Sequence, residues 1–168
     1  MKLIKKVLAL TLALTMAIAF CGCGSDKAAE ESTITVGIAQ DIEDSLDPHH
    51  AAAAGTREVL FNIFEGLVKP NSNGELIPAI ASEYSVDEEG KVYTFTLRDG
   101  ITFHNGEAVT VEDVKASIER NAGIGDGEAL VAAFSNRESV DTPDDKTVVI
   151  TLATPDTDFI SNMTVAIL

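Results

Sequence analysis

Apolar residues recur along the chain at two spacings. Every second position is apolar in Thr33–Ala39, where Ile34, Val36 and Ile38 share one side, in Val92–Arg98 with Tyr93, Phe95 and Leu97, and in Thr147–Leu152 with Val148, Ile150 and Leu152. A strand sends successive side chains to opposite faces, so each stretch is predicted to be a strand with one face buried. Glu83–Val86 leads into the turn residues Asp87–Gly90 and pairs with Val92–Arg98 as a β-hairpin. The second spacing is helical. Val59, Leu60, Ile63 and Phe64 form an apolar stripe along Thr56–Phe64, and Val111, Val114 and Ile118 form another. The second helix opens on Thr110-Val-Glu-Asp113, a capping box with Asp in place of Glu or Gln.

Turn chemistry separates these elements. Lys69–Gly74 (KPNSNG), Asn105-Gly106 and Thr142–Asp145 (TPDD) are predicted turns, and Gly123–Gly127 (GIGDG) a flexible loop. The mixture describes an α/β or α+β chain with antiparallel hairpins. The run Val165–Leu168 ends the sequence on apolar residues, whereas chain ends are usually polar and frayed. The chain is therefore expected to stop inside a structural element, as a fragment of a longer protein, with that run and its strand edges deprived of partners and prone to aggregate.

The first 26 residues follow a different logic. Met1–Lys6 is basic, and Val7–Phe20 is an uncharged run of 14 residues. As a helix that run spans about 21 Å, short of the roughly 30 Å hydrocarbon core, and so fits an export signal better than a permanent span. The Phe20-Cys21-Gly22-Cys23-Gly24-Ser25 that follows resembles the lipobox of bacterial lipoproteins, in which the cysteine is acylated and becomes the first mature residue. Cys23, with Gly22 before it and Gly-Ser after it, fits this better than Cys21, which would put the bulky Phe20 at the cleavage point. The expected organisation is a lipoprotein signal over residues 1–22, a lipidated tether over 23–32, and a domain from 33 to 168. Ordinary signal cleavage with incidental cysteines is the alternative.

Charge sharpens this division. The chain has 12 Lys+Arg against 27 Asp+Glu, a net charge of −15. Lys2, Lys5 and Lys6 precede the first acid, Asp26, so the body beyond carries 9 basic and 27 acidic residues, a net of −18. Such a body is repelled by phosphate backbones, which excludes nucleic acid as a partner. With Cys only at 21 and 23 there is no disulfide framework.

Catalytic and metal motifs are absent: no GxSxG, HExxH, CxxC, GxxxxGK[ST] or GxGxxG occurs. His49-His50 beside Asp47 offers ligand types for a transition metal, but adjacent histidines do not converge and a preformed site needs three or four ligands. They are read as two exposed loop histidines, and His104 as a turn residue. Asp41, Asp44 and Asp47 lack the alternate-residue spacing of a calcium loop and read as a solvated acidic loop. No cofactor is implied.

Several runs in fixed order carry a resemblance. They are Leu46-Asp47-Pro48, Phe61-Asn-Ile-Phe-Glu-Gly-Leu-Val68, Leu76-Ile-Pro-Ala-Ile-Ala81, Tyr93 through Glu107, and Val109 through Arg120, followed by Thr147–Leu152, Pro155 and Phe159. Over about Thr33 to Phe159 the chain resembles the family 5 extracellular solute-binding proteins of ABC transporters, the dipeptide, oligopeptide and nickel group. The resemblance implies a type II, two-lobed α/β binding-protein fold, of which this chain holds the first part of lobe one and its inserted α+β subdomain. It implies capture of a di- or oligopeptide outside the cytoplasm, lipid anchoring to the cell membrane, and delivery to permease and ATPase subunits without covalent chemistry. A nickel chelate or another small solute is the alternative ligand; a structural or adhesive lipoprotein and an exported hydrolase are alternatives of other classes.

In peptide-binding relatives the extended segment after Leu-Asp-Pro borders the cleft and pairs with bound peptide as an added strand. Here that segment is His50–Thr56 (HAAAAGT), giving His50, Ala52, Ala54, Gly55 and Thr56 as candidate ligand-binding residues. The same residues read equally as the start of the following helix. Arg98, at a strand end, is read as solvated or salt-bridged.

Overall fold

The computed structural model describes residues 33–168 apart from 43, 125, 126 and 128. The export segment, Cys23 and the tether lie outside the described residues. The chain divides into two units, residues 1–37 and Ile38–Leu168. In the first, residues 33–37 are irregular and exposed.

The second unit is built on a four-stranded antiparallel sheet in the order β3-β4-β6-β5, from β3 (Ala81–Val86), β4 (Val92–Leu97), β5 (Arg137–Asp141) and β6 (Thr147–Leu152). The alternation in β4 and β6 buries Tyr93, Phe95, Leu97, Val148, Ile150 and Leu152 on one face. Each such side chain contributes roughly 1.5–3 kcal/mol when fully removed from water. Helix α2 (Val111–Asn121) adds Val111, Val114 and Ile118 to the same core, with Phe134, Phe159 and Met163 from two 3₁₀ turns, Ala132–Asn136 and Phe159–Thr164. Phe159 links the parts, its ring 5.3 Å from Tyr93 and 5.6 Å from Phe134.

Local chemistry explains where these elements start. Thr110 Oγ1 accepts from the Asp113 amide at 3.2 Å, and Asp113 Oδ2 accepts from the Thr110 amide at 2.8 Å, completing the capping box. The β3–β4 turn closes on Asp87, whose Oδ1 accepts from the Lys91 and Val92 amides at 2.7 and 3.0 Å. Asp144 organises the turn before β6 in the same way. Gly106, with φ of 88°, supplies the left-handed residue of the Asn105-Gly106 turn.

Two expectations change. Thr33–Ala39 forms no ladder, and Ile34 and Val36 stand 85% and 75% exposed, because a strand is completed only by a neighbour that takes its backbone hydrogen bonds. The helix expected over Thr56–Phe64 is shifted: α1 runs Ala54–Leu60, and residues 61–63 turn away, leaving Phe61 and Ile63 exposed. The Lys69–Gly74 turn is the bend of a small hairpin, β1 (Val68–Pro70) with β2 (Leu76–Pro78).

The C-terminal run is also not without partners. Ala166 and Ile167 are buried, Ile167 donates to the Glu65 carbonyl at 3.0 Å, and Leu168 donates to Ser117 Oγ at 2.8 Å. Gly66 makes this docking possible. A Cβ there would lie 2.5 Å from the Met163 carbonyl oxygen and 2.6 Å from the Thr164 carbonyl carbon.

Candidate functional site

The segment between Asp47 and α1 is held by its own acids. Asp47 Oδ1 accepts from the His49 amide, and the Asp47 carbonyl accepts from the amides of His50 and Ala51, all at 3.0 Å. Asp44 Oδ2 accepts from Ala52 and Ala53 at 2.5 and 2.7 Å. The Thr56 hydroxyl, then these amides, hold the Asp44 carboxyl below the usual carboxylate range. The acidic loop is thus a scaffold for residues 47–53, and the expectation of a merely solvated loop is corrected for Asp44 and Asp47. Backbone donors hold the Asp44 carboxylate, and a backbone donor together with the Arg120 guanidinium holds that of Asp47.

Arg120, in the last turn of α2, reaches across to this segment. Its Nη1 donates to Asp47 Oδ1 at 2.9 Å and its Nη2 to Oδ2 at 2.5 Å, a bidentate pair. The hydrogen bonds from the guanidinium lower the Asp47 carboxyl to about 2. Arg120 Nη1 also lies 2.9 Å from His49 Nδ1, while His49 Nε2 lies 2.7 Å from the Ala166 carbonyl oxygen. His49 is 9% exposed, so the reading of two exposed loop histidines holds for His50 and fails for His49. Contacts from residues 71 and 117 positions away bury it, and no local pattern reports such contacts. His104 lies exposed in its turn, and Arg98 reaches Glu65 at 3.5 Å on the surface.

Two open depressions flank the segment. The larger, of about 740 Å³, is bordered by His50, Ala52, Arg57, Phe61, Phe64 and Asn162, among others. The smaller, of about 440 Å³, is lined by residues 39–41 and by Ala53, Ala54 and Gly55. The five candidate ligand-binding residues are therefore divided. His50 and Ala52 face the larger depression, Ala54 and Gly55 the smaller, and Thr56 is fully buried. Ala54, Gly55 and Thr56 form the first turn of α1, while His50–Ala53 precede it. The amide donors of residues 50–53 are all engaged within the chain, so an incoming strand would meet carbonyls here. Gly55 is required by close packing, since a Cβ would lie 2.8 Å from the Asp41 carbonyl oxygen.

Asp47, His49 and Arg120 were not singled out as a group by sequence reasoning. The available signal was that Asp47 and Arg120 stand in the first and last of the motif runs from Leu46 to Arg120. Among the described residues no cluster of three or more metal-ligating side chains occurs, and no helix is long and apolar enough to cross a membrane.

The chain is similar to several known proteins. The glutathione-binding protein GsiB of Pectobacterium atrosepticum is 30% identical over 136 residues, covering 81% of this chain and 26% of its own. The dipeptide-binding protein DppE of Bacillus subtilis is 30% identical over 187 aligned positions, covering 96% of this chain and 34% of its own. The crystal structure of NikZ from Campylobacter jejuni in complex with Ni(L-His) superposes with a TM-score of 0.69 at 25% identity, over 77% of this chain and 26% of NikZ. The chain thus spans about a quarter to a third of the length of these relatives. The fold is that of part of a periplasmic binding protein, mixed α/β. Residues 75–168, more than half of the chain, match the middle region of the bacterial extracellular solute-binding proteins, family 5, and the chain belongs to that family.

Proposed function

We propose that this chain is the leading part of an ABC-transporter receptor that captures di- or oligopeptides outside the cytoplasm and hands them to a permease driven by ATPase subunits. The family match over residues 75–168 carries the reading. Relatives named for dipeptide and oligopeptide binding support the peptide class. In this reading residues 1–22 direct export, Cys23 is acylated, and residues 23–32 tether the domain to the membrane. Binding and release need no covalent chemistry. Within the described residues, His50 and Ala52 offer an imidazole and a backbone carbonyl to ligand in the larger depression, while Ala54, Gly55 and Thr56 shape the support behind it. A second ligand class, a nickel chelate, is favoured by the likeness to NikZ bound to Ni(L-His).

The test is thermal unfolding of the receptor, carrying all of its residues, against a panel of di- to pentapeptides and Ni(L-His). A ligand at 100 times its Kd stabilises the folded state by about 2.7 kcal/mol. A rise in Tm with peptides is the expected result. A rise with the nickel complex alone would transfer the assignment to the chelate, and no rise with either would refute both.

A further inference from the structure

His49 sits where three parts of the chain meet: its own loop, the last turn of α2, and the segment 165–168. The geometry fixes its protonation. A guanidinium has only donors, so the 2.9 Å contact from Arg120 Nη1 requires His49 Nδ1 to accept with its lone pair. The ring proton then lies on Nε2, which donates it to the Ala166 carbonyl at 2.7 Å. The neutral ring satisfies both contacts. A second proton on Nδ1 would turn an N–H against the N–H of Arg120 and set two cations side by side.

Among the described residues, the charged and titratable groups facing the ring are Arg120 from α2 and Asp47 and His50 from its own segment, while the C-terminal segment presents the Ala166 carbonyl. Asp47 attracts a proton on the ring, but both its oxygens are engaged by Arg120. Burial, ahead of any charge, keeps the imidazole below the ordinary histidine range.

We propose that His49 is a proton-operated latch on the C-terminal segment. Neutral, it clamps residues 165–168 against α2 and the 47–52 loop. Protonated, it loses its bond from Arg120 and is driven from its buried place, which frees the segment and widens the larger depression that His49, Val165 and Ala166 all border. The latch acts whatever that depression holds. The Ile167 bond to the Glu65 carbonyl and the Leu168 bond to Ser117 Oγ are the next to open, so these two amides report it.

The experiment is amide hydrogen exchange by NMR on the whole chain at pH 7.5 and 4.5, expressed as protection factors to remove the intrinsic pH dependence of exchange. Protection at Ile167 and Leu168 is expected to fall several-fold more than at Ile150 in the core, because only the former pair depends on the neutral His49 ring. His49→Gln supplies an acceptor and a donor but cannot take up a proton, and is expected to abolish the extra fall. If that variant does not fold, the ring nitrogen shifts of the unaltered chain decide. They should show the proton on Nε2 at pH 7.5 and a second on Nδ1 as protection is lost. Parallel loss at Ile150 and Ile167, the same fall in His49→Gln, or a proton on Nδ1 at pH 7.5 would overturn the proposal.

Discussion

Replacing Gly66 by Ala tests how the C-terminal segment is seated. The added Cβ would lie 2.5 to 2.8 Å from three backbone atoms of Met163 and Thr164. A backbone cannot swing aside as a side chain does, so relief requires moving the 3₁₀ turn Phe159–Thr164. That turn places Phe159 and Met163, both fully buried, in the core shared by β4, β6 and α2. Overpacking typically costs about 1–3 kcal/mol, and partial withdrawal of Met163 adds to it, so a loss of about 3 kcal/mol is expected. With roughly 130 folded residues and about 2.1 cal/mol/K per residue, this lowers Tm by about 10 °C. Thermal unfolding followed by circular dichroism measures it. Gly74→Ala is the comparison, since a Cβ there meets nothing within 4 Å and only its φ of 81° is strained. If Gly66→Ala melts within about 2 °C of the unaltered chain, the segment does not pack as described.

Thr110→Ala removes one half of the capping box, with an expected cost of about 1 kcal/mol and a Tm about 4 °C lower; Thr110→Ser should restore most of it. Acid titration should show the Asp47–Arg120 pair. A carboxyl lowered from 3.8 to about 2 contributes stability above pH 3.8 that is lost as the pH falls toward 2. With this carboxylate about a third exposed, the contribution is about 1–2 kcal/mol after solvent screening, and urea titrations of Asp47→Asn should show a correspondingly flatter acid limb. His49, also lowered, contributes stability that is complete above 6.5 and declines as the pH falls below it. Labelling with radioactive fatty acid in a bacterial host should mark the chain, persist in Cys21→Ser and vanish in Cys23→Ser.

The parts of this fold that are legible in the sequence are those whose causes are local. Alternation in β4 and β6, the Thr110 capping box and the Asn105-Gly106 turn each depend on residues a few positions apart, and each forms where the pattern places it. β5 escapes because Arg137–Asp141 has only Val140 fully buried and joins the sheet by pairing with β6. Thr33–Ala39 errs the other way, having a strand's alternation but no pairing strand among the described residues. The site is less legible than the fold. His50 and Ala52 could be placed beside α1 by their position after Leu46-Asp47-Pro48, but Asp44 acts through amides eight and nine positions on, beyond any turn pattern, and the roles of His49 and Arg120 rest on contacts between distant residues. Gly66 shows both sides. Its position belongs to a recognisable run, yet its reason, the backbone of Met163 and Thr164, becomes visible only in three dimensions.

Isothermal titration of the receptor, purified with all of its residues, with di- to pentapeptides tests solute capture most directly. Saturable binding of one peptide per receptor, with the negative heat-capacity change of apolar burial, is the predicted result. Flat heats across the peptide panel, with or without a response to Ni(L-His), would contradict the account of a peptide receptor.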